Sequence, residues 1–231
     1  MLTLTLLIGL GAPASAPSVT TQAQWSDAAV LATSVGAYFA LHSREEPLFK
    51  PEWASTERSL SYNEDTVPTS TFYVWGGALS AAAGLEGGPR EAVSALQTLS
   101  LTALATEVLK HTFGRPRPDY EDRMRLHAQT GDPKLLTDAR LSMPSGHSSA
   151  AFALALHTSL WAHRAACRRG HGKASIAVGW GVPLSAAAAI GISRITDHRH
   201  NLSDVVAGAL IGLGMSWGVN RIQFGPWKGC P

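Results

Sequence analysis

The stretch ASIAVGWGVPLSAAAAIGISRITDHRHNLSDVVAGALIGLGMSWGVNRI, residues 174–222, settles the kind of fold this chain can adopt. Two runs without a charged residue, 174–193 and 205–220, flank a short polar segment rich in Arg, His and Asp. Neither run alternates apolar and polar residues, and both exceed the length of a strand, so they read as helices over about 174–193 and 202–222. Working outward, similar Ala-rich apolar runs predict helices near 146–166, 90–112, 71–85 and 26–42. Two long connections separate them. Residues 43–70 carry Pro47, Pro51 and Pro68 among many charges, and 113–143 opens GRPRP at 114–118; both read as loops, because proline has no amide hydrogen to give a helix. No internal repeat is present. The expectation is an all-α chain, a single helical bundle of about six helices.

Composition narrows the function. A chain of 231 residues needs no second domain, and a net charge of +2, with Lys and Arg interleaved among Asp and Glu, excludes a basic nucleic-acid-binding stripe. The first residues, MLTLTLLIGLGAPASA, combine an apolar run with Ala14-Ser15-Ala16, the small-residue pattern cut by a signal peptidase. A signal peptide over 1–16 and a mature domain over 17–231 are therefore expected, with an uncleaved anchor as the alternative. Segments 174–192 and 205–220 approach the length a bilayer requires, whereas 71–85 is short and the mean hydropathy of +0.03 is low for a polytopic protein. Embedded and soluble bundles both remain open.

Three segments gather polar residues beside apolar helices: Lys110 to Pro118, Pro144 to His147, and Ser193 to Asp204. Lys110 closes the third helix, Ser145 and His147 open the fourth, Arg194 closes the fifth, and His200 and Asp204 open the sixth. In an up-and-down bundle all these ends meet at one pole. Three permanent cations, Lys110, Arg117 and Arg194, repel one another unless an anion sits among them, and a phosphate with its tetrahedral oxygens suits that place. Ser145 and the amides of Gly146 and His147 add donors at a helix N-terminus. Two histidines turn a binding cage into a reaction centre. With His200 and Asp204 one turn apart on a helix, the carboxylate accepts from one ring nitrogen and leaves the other free to attack phosphorus. His147 is placed to protonate the departing oxygen.

These segments resemble the signature of the type 2 phosphatidic acid phosphatase family, which that family shares with bacterial class A acid phosphatases and vanadium haloperoxidases. The likeness rests on Lys110, Arg117, Pro118, Pro144, Ser145, Gly146, His147, Ser193, Arg194, His200 and Asp204, and covers residues 110–204. It implies a phosphomonoesterase needing neither metal nor other cofactor, with His200 as nucleophile, His147 as acid and Asp204 assisting His200. Lys110, Arg117, Ser145, Gly146 and Arg194 would hold the phosphoryl group. Arg115 rivals Arg117, but its spacing from Lys110 is the poorer match. Asp197, His198 and Arg199 read as solvated loop residues, and His157 as a satisfied core histidine.

The connection from His163 to Lys173 is the most basic short loop and lies at the opposite pole. By the positive-inside rule a membrane-spanning bundle would keep it in the cytoplasm and turn the site outward, to the periplasmic or extracellular side of the envelope. Cys167 and Cys230 belong to the same pole as that loop. A soluble exported protein could join them, whereas a cytoplasmic face would keep them reduced. The expected partner is a phosphorylated lipid or small molecule, with Phe49, Trp53 and Tyr62 as candidate entrance residues; oligomeric state is not encoded in any motif. Two rivals share the signature or the cage: a vanadate-dependent haloperoxidase, and a phosphate- or phospholipid-binding envelope protein without turnover.

Overall fold

The computed structural model describes residues 25–44, 46–51, 54–56, 59–226 and 230. The expected signal segment and Trp53 lie outside them. Among the described residues the chain is all-helical: α1 (Trp25–His42), α2 (Ser70–Gly87), α3 (Pro89–Phe113), α4 (Tyr120–Thr130), α5 (Gly146–Arg168), α6 (Lys173–Thr196) and α7 (Leu202–Phe224). Six of these are the expected bundle helices, with ends within three residues of the sequence reading.

The seventh, α4, corrects the reading of 113–143 as loop, as does a 3-10 turn at Pro133–Leu135. Prolines bracket 119–132 without entering it, Glu121 and Asp122 stand in the first turn, His127 in the last, and Gly131 closes the helix in the left-handed conformation. Its anchor is ionic, which leaves no apolar periodicity to read. Arg123, 2% exposed, pairs with Asp119 at 2.9 Å and lies over the Tyr62 ring at 5.0 Å.

Helix α5 is the axis of the bundle, packed against α2, α3, α6 and α7. It is buried because its inward residues are small: Ala151, Ala153 and Ala155 have no exposed surface. The α5–α7 contact brings backbones together, since a Cβ on Gly212 would stand 2.2 Å from Ser149 O and one on Gly208 2.5 Å from Ser145 O. Alanine at either position would force the helices apart.

Apolar residues also point outward. Val74, Leu85, Val178, Val182, Ile192 and Leu210 are each more than half exposed. Helices α3, α6 and α7 are long and apolar enough to cross a membrane, and only 17% of the apolar window of α6 is buried inside the bundle, so most of that helix is left for an apolar surrounding. Membrane association follows from this pattern. Cys167 and Cys230 are joined in a disulfide that ties the C-terminal tail to the end of α5. In the bundle interior Arg164 grips Glu91 through two hydrogen bonds (3.0 and 2.7 Å) and donates to Asn220 (2.9 Å). Asn220 and Thr98 hold the His157 Nδ1 at 3.0 and 2.8 Å, so His157 is the satisfied core histidine expected.

Candidate active site

A cavity of about 440 Å³ opens among the ends of α3, α5 and α6 and the segment before α7; Lys110, Arg117, Gly146, His147, Arg194 and His200 line it. Lys110 arrives on the last turn of α3, after which Gly114 turns the chain at φ 54°. A Cβ there would lie 2.1 Å from Phe49 O, so glycine is required both by the conformation and by the contact. The next residues carry Arg117 inward. Its Nε donates to Asp138 O and its Nη2 to Asp138 Oδ2, both at 2.9 Å, leaving Nη1 to reach Arg199 O at 3.1 Å and His200 Nε2 at 3.3 Å.

That last contact fixes the histidine. A guanidinium can only donate, so Nε2 carries the lone pair and the proton sits on Nδ1. Nδ1 faces Ser142 Oγ at 3.5 Å and Asp204 Oδ2 at 3.8 Å, an ion-pair distance rather than a hydrogen bond. Burial, and then the Arg117 charge, hold the imidazole well below its ordinary range against the opposing pull of Asp204. His200, which lines the cavity, is thus neutral near pH 7, with its basic nitrogen toward Arg117.

The helical i,i+4 placement of His200 and Asp204 is corrected here. Helix α7 starts at Leu202 behind the N-cap Asn201, so His200 precedes the helix while Asp204 is its N3 residue. Asp204 is fully buried and accepts from Asn201 N (2.9 Å), Ser142 Oγ (2.7 Å) and Arg115 Nη1 (2.8 Å). Arg115 therefore serves Asp204 rather than the cavity. Ser142 and Arg115 as supports of Asp204 were missed in the sequence, where neither stands at helical spacing from their partner.

Ser145 is not among the cavity-lining residues. It caps α5, its hydroxyl accepting from Ser148 N at 3.4 Å. Gly146 faces the cavity, and its missing side chain admits Lys110, whose Nζ would lie 3.4 Å from a Cβ there. His147 Nε2 donates to Val67 O at 2.9 Å, and its ring meets Phe72 edge-on at 5.2 Å.

The cations are met by carboxylates. Lys110 Nζ pairs with Glu107 Oε1 at 2.9 Å, Arg117 with Asp138, and Arg194 Nη2 with Asp65 Oδ1 at 2.8 Å. Although burial raises Asp65, the Arg194 hydrogen bond and charge, with Arg199, hold it below the usual carboxylate range. Asp138 is held low against burial by Arg117 and Lys110. Asp197 and Arg199, expected to be solvated, are buried: Asp197 binds Thr66 N at 2.9 Å, and Arg199 pairs with Asp65 and Asp119. Segment 59–69, which bore no motif, supplies Asp65 and Thr66. Tyr62 stacks beneath Arg123 and Arg199 instead of lining an entrance, and Phe49 is exposed. Beyond the cage the cavity turns apolar, with Leu31, Val35, Phe39, Phe72, Leu96 and Leu99 on its wall.

Bundle and cavity together define a helical protein in which Lys110, Arg117, Arg194 and the His200 imidazole line one end of a pocket whose other walls are apolar. The chain belongs to the PAP2 superfamily, whose family model matches residues 91–228. It is 34% identical over 134 residues to lipid phosphate phosphatase 2 of Arabidopsis thaliana (51% of this chain, 45% of the relative). It is 32% identical over 141 residues to a PA-phosphatase related-family protein of Dictyostelium discoideum (58% and 48%). To diacylglycerol pyrophosphate phosphatase 1 of Saccharomyces cerevisiae it is 29% identical over 144 residues (54% and 48%). The chain spans about half the length of these curated relatives. No solved structure matches it.

Proposed function

We propose that this protein is a metal-independent phosphatase that hydrolyses phosphate monoesters, lipid phosphates above all, through a phosphohistidine on His200. One observation carries the reading: His200 presents an unprotonated Nε2 beside Arg117, 3.3 Å away, in a cavity whose far wall is apolar. The cage takes the phosphoryl group and the apolar wall takes the chain of a lipid, an arrangement that also suits the names of the relatives.

In the proposed reaction His200 Nε2 forms a bond to phosphorus as the bond from phosphorus to the ester oxygen breaks. His147, protonated on both ring nitrogens in this step, turns its Nε2 proton from Val67 O to that leaving oxygen and is left neutral, able to act as base. The Nδ1 proton of His200, facing Ser142 and Asp204, steadies the charge that develops on the ring. Lys110, Arg117 and Arg194 face the equatorial oxygens, with the amides at the start of α5. Water, deprotonated by His147, then breaks the P–N bond and releases phosphate. Ser145 is assigned to the α5 cap that aims those amides, and Asp204 to holding His200.

The apolar outer faces of α2, α6 and α7 fit a bundle seated in the cell envelope. The basic 163–173 loop favours a cytoplasmic position for its pole and an outward-facing site. The Cys167–Cys230 bridge at that same pole opposes this orientation, because a cytoplasmic disulfide does not persist.

The reading is tested by p-nitrophenyl phosphate hydrolysis in excess EDTA. Wild type should turn over unimpaired, His200→Ala should lose activity by about a thousandfold or more, and quenching in alkaline detergent should trap phosphate that is stable to base and labile to acid on wild type alone. Chelator-sensitive turnover, or activity surviving in His200→Ala, would overturn it.

A further inference from the structure

We infer that the cavity has a second phosphoryl seat beside the first, built by Arg199 and Arg194, which makes Arg199 a specificity residue for pyrophosphate monoesters. The inference rests on the phosphatase reading above and extends it.

Arg199 belongs to none of the motif positions, yet it lines the same cavity as the cage. Its backbone carbonyl accepts from Arg117 Nη1 at 3.1 Å, which places it at the edge of the His200 centre. A single carboxylate oxygen, Asp65 Oδ1, lies 2.8 Å from Arg194 Nη2 and 2.8 Å from Arg199 Nε. An oxyanion position therefore bridges one cation of the cage and one outside it. Two phosphates linked through one oxygen have that character, a dense pair of anions whose oxygens reach neighbouring guanidinium groups at once.

The donors there are incompletely used. Arg194 Nε and Arg199 Nε are buried and make no hydrogen bond; the Arg199 N–H is close to Asp65 but not directed at it. A buried donor without a hydrogen bond is costly, and two such donors, Arg194 Nε and the Arg199 Nε that meets Asp65 only as an ion pair, point to a ligand with more acceptor oxygens than one carboxylate has. Arg199 is also held in place, its guanidinium 5.4 Å from the Tyr62 ring centre and 3.5 Å from Asp119 Oδ2. Asp65, by contrast, keeps a side chain 34% exposed on segment 59–69, so it can leave as the ligand enters while Arg199 stays.

Asp65 and His147 line the same cavity, and the inference sets this seat on the leaving-group side, next to His147. The terminal phosphoryl group occupies the cage. His200 Nε2 bonds to its phosphorus, the bond to the bridging oxygen breaks, and the electron pair leaves on that oxygen as a phosphate monoester received by Arg199 and Arg194. Water then cleaves the P–N bond as before. A phosphate departs as a stable anion, so the step needs the His147 proton less than an alcohol does.

The test compares kcat/KM for diacylglycerol pyrophosphate with phosphatidic acid, and for a polyprenyl pyrophosphate with its monophosphate, in matched detergent micelles of the full chain. Arg199→Gln should lower the pyrophosphate-to-monophosphate ratio by about tenfold or more in at least one pair, the size of a lost charged hydrogen bond. His147→Asn should raise that ratio. An unchanged ratio in both pairs for Arg199→Gln overturns the inference. Should that variant not fold, wild type decides: inorganic pyrophosphate should inhibit p-nitrophenyl phosphate hydrolysis at about a tenth of the concentration that inorganic phosphate needs, and equal inhibition overturns the second seat. Absence of p-nitrophenyl phosphate hydrolysis by wild type would instead remove the phosphatase reading itself.

Discussion

Two clusters of arginine and carboxylate occupy this bundle, and they differ in completeness. In the interior, Arg164, Glu91, Asn220 and His157 close on one another, and no buried side-chain nitrogen or oxygen of these four lacks a partner. At the cavity, Arg117, Arg194 and Arg199 meet Asp138, Asp65 and Asp119, yet Arg194 Nε makes no hydrogen bond and Arg199 Nε meets Asp65 only as an ion pair at 2.8 Å. The same residue types therefore do different things. A closed network holds helices together, whereas on the proposed reading the open one takes an anion.

Substitution should separate the two clusters most sharply at His200. His200→Ala is expected to cost about a thousandfold or more in kcat with the thermal midpoint unchanged; a matching loss of stability would merge the clusters into one structural network. Glu91→Ala should do the reverse, leaving Arg164 uncompensated and costing about 3 kcal/mol in unfolding free energy while the folded fraction keeps its kcat. Loss of kcat without loss of stability would break the distinction.

The pH profile sharpens it further. The His200 imidazole is held below its ordinary value of 6.5, so it stays unprotonated through neutral pH and the acid limb of kcat/KM should fall below that value. Arg117→Gln removes the charge that helps depress it, so the residual activity should show an acid limb moved upward. A limb that stays put assigns the shift to burial alone. A smaller effect is expected from Ser142→Ala, which removes one hydrogen bond to Asp204 and should lower kcat about fivefold. The smallest is at Cys230→Ser, which should leave kcat unchanged. Non-reducing mass spectrometry of protein taken directly from cells then reads the sidedness. A 167–230 bridge places that pole in an oxidising compartment and overturns the outward-facing site of a spanning bundle, and free thiols support it.

Residue type and spacing were enough to find six helices, because apolar runs of that length have few other ways to satisfy their backbone. They also singled out Lys110, Arg117, Gly146, His147, Arg194 and His200, which line one cavity and stand at helix ends or in proline-bounded turns where polar residues interrupt an apolar pattern. Segment 59–69 and α4 were illegible for the opposite reason. Their residues are mostly polar or charged, and polarity alone does not say whether a side chain is solvated or paired. Asp197 and Arg199 became buried, with Asp65 as a half-exposed partner of Arg199, only when that segment folded across the cavity mouth.

What the sequence determined by itself was the all-helical class and the chemistry available at the helix ends, since both follow from periodicity and residue type along the chain. Which nitrogen of His200 bears the proton, which arginine holds Asp204 and which faces the cavity, and whether Ser145 caps or binds were decided only by the tertiary structure. Each depends on contacts between residues far apart in the chain, and hydrogen bonds of about 3 Å are set by how helices pack rather than by how residues follow one another.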